Sequence, residues 1–257
     1  TGVQRVLFRS QRVNDPILPN PYFQFKQFTI HQDQCTLKVC TDACLFGAWM
    51  ANHTSSALRI LDIGSGTGLL MLMIAQKNPN QIEGIEIDRS SFEQSQQNLQ
   101  NSPWARRLSV HFGDARSFLL PKKYDWIVTN PPFYENDLLP YNYGKKLARH
   151  GTELTLEQVL EVITDNLAPS GSFGILLPYH RQDYFLQLAK AKGYQWLEGV
   201  QVRQTPDHPY FRSMLSFGRT PDPSREISSL TEITLQESTG NYTATFCELL
   251  KDYYLYL

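Results

Sequence analysis

From residue 58 onward, apolar runs of strand length alternate with helix-length segments in which apolar positions recur every three or four residues. Seven runs read as strands: LRILDI, IEGIEI, LSVHF, YDWIVT, GSFGILL, WLEGVQV and SMLSFG. Between them, GLLMLMIAQK reads as a helix opening at Thr67 and Gly68. SSFEQSQQNLQN reads as another, with Ser90 as N-cap and Glu93 as its capping-box partner. TLEQVLEVITDNL and RQDYFLQLAKAKG follow, the second ending at Gly193, a position suited to a left-handed cap. YTATFCELLKDYYLYL reads as a closing amphipathic helix. Strands alternating with helices predict an α/β fold, a mainly parallel seven-stranded sheet with helices on both faces. Residues 11–57 do not share this period and read as an N-terminal cap segment ahead of a main domain over 58–257, with a Pro/Ser-rich connection at 219–229.

Composition changes this picture little, but it narrows the partners. A chain of 257 residues can bury one sizeable core. Its formal net charge of −1 means that nucleic-acid binding must rest on a local patch. The stretch YNYGKKLARH offers one, with Lys145, Lys146 and Arg149 and no acid among them. The four cysteines form no CxxC pair, so a metal site is not expected and free thiols in a reducing cytoplasm are. No apolar run approaches the roughly 18 residues of a membrane span. The first ten residues, TGVQRVLFRS, lack an initiator Met and are expected to be non-native.

The chemistry concentrates at the ends of successive strands. In LDIGSGTG, Asp62 heads a D-x-G-x-G-x-G turn whose Gly64, Gly66 and Gly68 let the backbone approach a ligand and take positive φ. Glu86 ends the next strand, where a carboxylate accepts hydrogen bonds from ribose hydroxyls. Asp114, after the third, is placed to accept from an adenine amino group. Alone, each acid would more often be a surface residue or a helix cap. The turn lacks the G-x-G-x-x-G spacing that seats a pyrophosphate, so S-adenosylmethionine fits better than a dinucleotide.

The fourth strand delivers TNPPFY. Prolines at 131 and 132 fix φ and remove two donors, which stiffens the segment. Methylating an exocyclic amine requires two acceptors to hold its protons and aim its lone pair. The Asn130 side-chain oxygen and the Pro131 carbonyl are candidates, with Phe133 as a face on which a base stacks. A plain rigid turn is the competing reading.

These residues resemble the class I S-adenosylmethionine-dependent methyltransferases with an N/D-P-P-F/Y motif, which have a Rossmann-like fold and modify amino groups. FQFKQFTIHQDQCTLKVCTDACLFGAWM, SPWARRLSVHFGDA and the C-terminal segment are similar to the branch that methylates N6 of adenine 37 in the anticodon loop of tRNA1(Val). The resemblance implies that Lys38, Thr41 and Asp42 lie beside the methionine end of the cofactor, with Asp62, Gly64, Gly66, Gly68, Glu86, Asp114 and Asn130 completing its site. Asn130, Pro131, Pro132 and Phe133 would hold the target adenine, and Phe133, Tyr134, Lys145, Lys146 and Arg149 would meet a tRNA anticodon stem-loop. Arg203 and Arg212 would extend that patch. Cys40 stands where the family has Gly, so a positive φ there would strain the chain. The expected enzyme is a cytoplasmic monomer that uses no metal. Guanine N2 of rRNA and a protein glutamine remain alternative acceptors, and a non-catalytic binding module is a third reading.

Overall fold

The computed structural model describes residues 20–35, 37–120, 122–132, 154–219 and 229–257. A short antiparallel hairpin, β1 (Tyr22–Gln24) with β2 (Thr29–His31), leads into helix α1 (Thr41–His53). There follow β3 (Arg59–Ile63), α2 (Leu69–Ala75), β4 (Gln81–Glu86), α3 (Arg89–Gln100), β5 (Leu108–Phe112) and β6 (Tyr124–Thr129). The second half contains α4 (Leu156–Asn166), β7 (Leu167–Pro178), α5 (Gln182–Ala191), β8 (Gln195–Arg203), β9 (Tyr210–Gly218), β10 (Ser229–Thr234) and α6 (Ala244–Leu250).

The main sheet has eight strands, not seven, in the order β10-β8-β9-β7-β6-β3-β4-β5. Among the described residues, β9 alone in this sheet runs antiparallel to its neighbours, β7 and β8. The additional strand, β10, pairs parallel with β8 along an edge. Four of its six residues are exposed, so its sequence carries no buried-strand signature. In contrast, β3 is buried from Ile60 to Ile63, because helices cover both faces of the parallel centre.

Chain direction reverses between β3 and β6: after β3 the chain builds outward through β4 and β5, then returns to place β6 on the other side. Open α/β sheets bind ligands in the crevice at such a switch point, outside the carboxyl ends of the strands. One core forms around α1, α2 and α6 on one face, the other around α4 and α5 on the opposite face. Helix α1 lies within residues 11–57, which do not share the amphipathic period. It is buried from Asp42 to Ala51, so its apolar positions run around the helix and leave no stripe.

Two helix ends differ from expectation. The N-cap of α3 is Asp88, not Ser90: the Asp88 carboxylate accepts from the Ser91 backbone N–H at 2.9 Å, and Glu93 pairs with Arg89 instead. A carboxylate in extended conformation two residues earlier satisfies the orphan donor first. The closing helix stops at Leu250, and the chain then turns so that the Tyr253 hydroxyl donates to the Met73 carbonyl and Tyr254 bridges to Phe25 of the hairpin. The capping box of α4, between Thr155 and Gln158, is present as expected, and Gly193 takes positive φ after α5.

Candidate active site

The cofactor turn is built by geometry that only glycine adopts without strain. Gly64, Gly66 and Gly68 have φ of 72°, 54° and 81°. A side chain on Gly64 or Gly66 would meet nothing within 4 Å, so the backbone there is open to a ligand. At Gly68 it would press on Leu99 at 3.3 Å, because α3 packs tightly against the start of α2.

Glu86 is held from two sides. Its carboxylate accepts from the Gly66 N–H at 2.7 Å and the Asp88 N–H at 2.8 Å, which lock it between the turn and the cap of α3. Burial raises its pKa, and those two backbone bonds oppose the rise. Asp62, fully buried at the end of β3, has no hydrogen-bond partner for either oxygen. Burial, with the nearby charge of Glu86 adding, pushes its pKa up to about 8. The Ser65 hydroxyl and the Asn130 side-chain oxygen are likewise buried and unpaired. Buried polar atoms are ordinarily satisfied. Four such atoms on neighbouring strand ends fit a polar, positively charged ligand such as S-adenosylmethionine.

Register aligns these groups. Ile63 pairs with Ile85 on β4 and with Thr129 on β6, and Glu86 pairs with Phe112 on β5. Glu86, Asp114 and Asn130 therefore stand along one carboxyl edge. Thr129 strengthens the alignment: its hydroxyl donates to the Ile63 carbonyl at 2.9 Å, tying the approach to Asn130 to the approach to the glycine turn. Asp114 spends part of its capacity on Arg116, whose guanidinium contacts both its oxygens at 2.6–3.0 Å and holds its carboxyl below the usual range. A carboxylate has about four lone-pair sites, so room for an amino donor remains.

The N-terminal residues arrive beside the turn through a clamp that the sequence did not disclose. Asn98, buried in α3, accepts from the His31 N–H at 2.9 Å and donates to the His31 and Thr67 carbonyls, each at 2.9 Å. It thus fastens the hairpin to the cofactor turn. Gln94 accepts from the Gln34 N–H, and Gln32 from the Val39 N–H, carrying the chain to α1. An internal hairpin-to-helix contact of this kind leaves no short-range pattern in the sequence. Thr41 opens α1 and Lys38 is exposed before it. Asp42 pairs with Arg212 of β9 at 2.7 Å. Cys40 has φ −128°, an ordinary extended conformation, so replacing the family glycine costs no strain. Arg203, like Arg212, is engaged with an acid, here Glu232 at 2.8 Å.

Pro131 is buried and Pro132 half-buried at the end of β6. Phe133, Tyr134, Lys145, Lys146 and Arg149 lie outside the described residues. A separate cleft of about 380 Å³, lined by Lys26, Gln27, Gln76, Lys77, Lys251 and Asp252, opens at the opposite end of α2 and takes no part in this site. Among the described residues, no group of three or more His, Cys, Asp or Glu side chains is arranged to hold a metal, and no helix is long and apolar enough to cross a membrane.

The chain is similar to several known proteins. Residues 45–165 match the family described as "Methyltransferase small domain". A tRNA1(Val) (adenine(37)-N6)-methyltransferase of Dyadobacter fermentans is 38% identical over 238 residues, covering 92% of this chain and 98% of the relative. The protein of the same name from Proteus mirabilis is 34% identical, covering 91% and 94%. Among solved structures, one described as a predicted O-methyltransferase from Agrobacterium tumefaciens superposes with a TM-score of 0.64 at 16% identity, covering 82% of this chain and 96% of that one. That similarity carries the fold alone. The sequence relatives match over most of both chains, and on their evidence the chain belongs to the family of tRNA1(Val) (adenine(37)-N6)-methyltransferases.

Proposed function

We propose that this enzyme transfers the methyl group of S-adenosylmethionine to N6 of adenine 37 in the anticodon loop of tRNA1(Val). The observation that carries the reading is the unpaired, buried side-chain oxygen of Asn130, fixed at a strand end by the Thr129 hydroxyl and two prolines. An acceptor so placed suits a planar amine with protons to give. Asn130 and the Pro131 carbonyl hold the two N6 protons, so the nitrogen lone pair points toward the cofactor. The cofactor supplies an electrophilic methyl on a sulfonium. Transfer to N6 would leave the nitrogen with one proton too many, which Asn130 and the Pro131 carbonyl would hold by hydrogen bonds until it passes to solvent water.

Within this reading, Gly64, Gly66 and Gly68 shape the bed of the cofactor, Glu86 binds its ribose, Asp114 its adenine, and Lys38, Thr41, Asp42 and Asp62 its methionine end. Phe133 and Tyr134 stack on the target base, and Lys145, Lys146 and Arg149 neutralise phosphates of the stem-loop. The target is unpaired in the loop, so reaching it requires unstacking but no duplex opening. No metal is required, because the electrophile already carries the positive charge. A cytoplasmic monomer suffices.

Transfer of tritiated methyl groups to total tRNA, ribosomes and release factor tests the substrate class. Label is expected in tRNA alone. Replacing Asn130 by Ala lowers turnover by about 10²-fold or more, through loss of one positioned acceptor. An Asn130→Ala enzyme with undiminished turnover would remove the proposed amine-holding role.

A further inference from the structure

The carboxyl edge that presents Asn130 continues across β7, β9 and β8. Thr129 pairs with Ile175, Pro178 with Arg212, and Arg203 with Tyr210. Neighbouring strands lie about 4.8 Å apart, so Tyr179, Tyr210 and Arg203 stand on adjoining strand ends, beyond the level of Asn130. Pro178 extends three residues beyond the level of Thr129, roughly 10 Å at strand rise, so the turn Tyr179–Arg181 forms a wall beside the site.

This wall is faced with rings and guanidinium groups. Tyr179 and Tyr210 approach to 5.3 Å between centroids. Arg203 lies over the Tyr210 ring at 5.4 Å, and Arg181 over Tyr184 at 4.8 Å. Glu232 fixes the far end by accepting from both the Tyr210 hydroxyl and Arg203, and its charge is thereby matched. Tyr179, 37% exposed, is thus buttressed from behind by a ring anchored through its hydroxyl, with His180 and His208 open to solvent. Rings interleaved with cations are the arrangement on which single-stranded bases stack, since every base has a π-face and guanidinium groups add cation–π attraction.

We propose that Tyr179, backed by Tyr210, is a stacking platform for an unpaired nucleotide flanking the target base of the RNA substrate. This deepens the functional reading and rests on it. A flanking base held on the wall opposes restacking of the target, which keeps the target base at Asn130. Affinity for RNA therefore depends on the Tyr179 ring, while cofactor affinity does not.

The test is steady-state methylation of a tRNA1(Val) transcript by the full chain carrying Tyr179→Ala or Tyr179→Phe, with S-adenosylmethionine affinity and thermal unfolding measured alongside. Tyr179→Ala is expected to raise KM for the transcript about tenfold, in keeping with the loss of one base–aromatic stack. Its cofactor affinity and melting temperature should stay near those of the wild type. Tyr179→Phe keeps the ring and should restore KM. An unchanged KM in Tyr179→Ala would overturn the proposal, as would an equal loss in Tyr179→Phe. Wild-type protein that methylates a peptide or protein and no RNA would instead overturn the functional reading, and this proposal with it.

Discussion

Asp62 places a carboxyl group with no partner in a fully buried position, and that arrangement has a pH signature. Burial, and then the charge of Glu86, lift its pKa from an ordinary 3.8 to about 8. The folded chain therefore binds this proton more tightly than the unfolded chain does. Its contribution to stability is complete below about pH 4 and is lost as pH rises toward 8. Glu86 is shifted in the same direction, chiefly by its burial. The melting temperature of the ligand-free protein should fall between about pH 4 and about pH 8, and Asp62→Asn should flatten that fall. A cationic ligand favours the ionised form, so saturation with S-adenosylmethionine should flatten it too. Much of this site was legible because each group lies in a short motif at a strand end. The roles of Ser65 and Thr129 were not, since a lone hydroxyl beside a motif has no spacing to identify it.

At the scale of elements, the site depends on how the N-terminal hairpin is attached to α3. Asn98 uses its oxygen and both amide hydrogens in that attachment. Asn98→Asp keeps the acceptor for the His31 N–H and leaves the His31 and Thr67 carbonyls without donors. The loss is expected to cost about 1–3 kcal/mol per buried group left unpaired, read as a lower melting temperature. Because Thr67 belongs to the cofactor turn, KM for S-adenosylmethionine should rise, with KM for tRNA little changed. A purely structural role would lower the melting temperature and leave that ratio unmoved. The central strands and the capped helix α4 were readable, because parallel strands under helices are apolar throughout and a capping box is local. Strand β10 was hidden by its exposed polar face, α1 by burial around its circumference, and the end of α6 by the long-range pull of Tyr253 onto Met73.

Across the whole molecule, the carboxyl edge gathers every candidate group described at the ends of β3 to β6, and the further strands β7, β9 and β8 continue it as a wall of aromatic and basic side chains. The near-zero net charge agrees with binding that is local to this edge, so methylation should weaken with added salt without a broad electrostatic attraction to other RNA. The most direct test is nucleoside mass spectrometry with fragment mapping of a tRNA1(Val) transcript incubated with the protein and S-adenosylmethionine. The account predicts a single N6-methyladenosine at position 37, formed about 10²-fold more slowly or worse when Asn130→Ala replaces the wild type. Methylation of guanine, methylation at another adenine, or an unmodified transcript would contradict it.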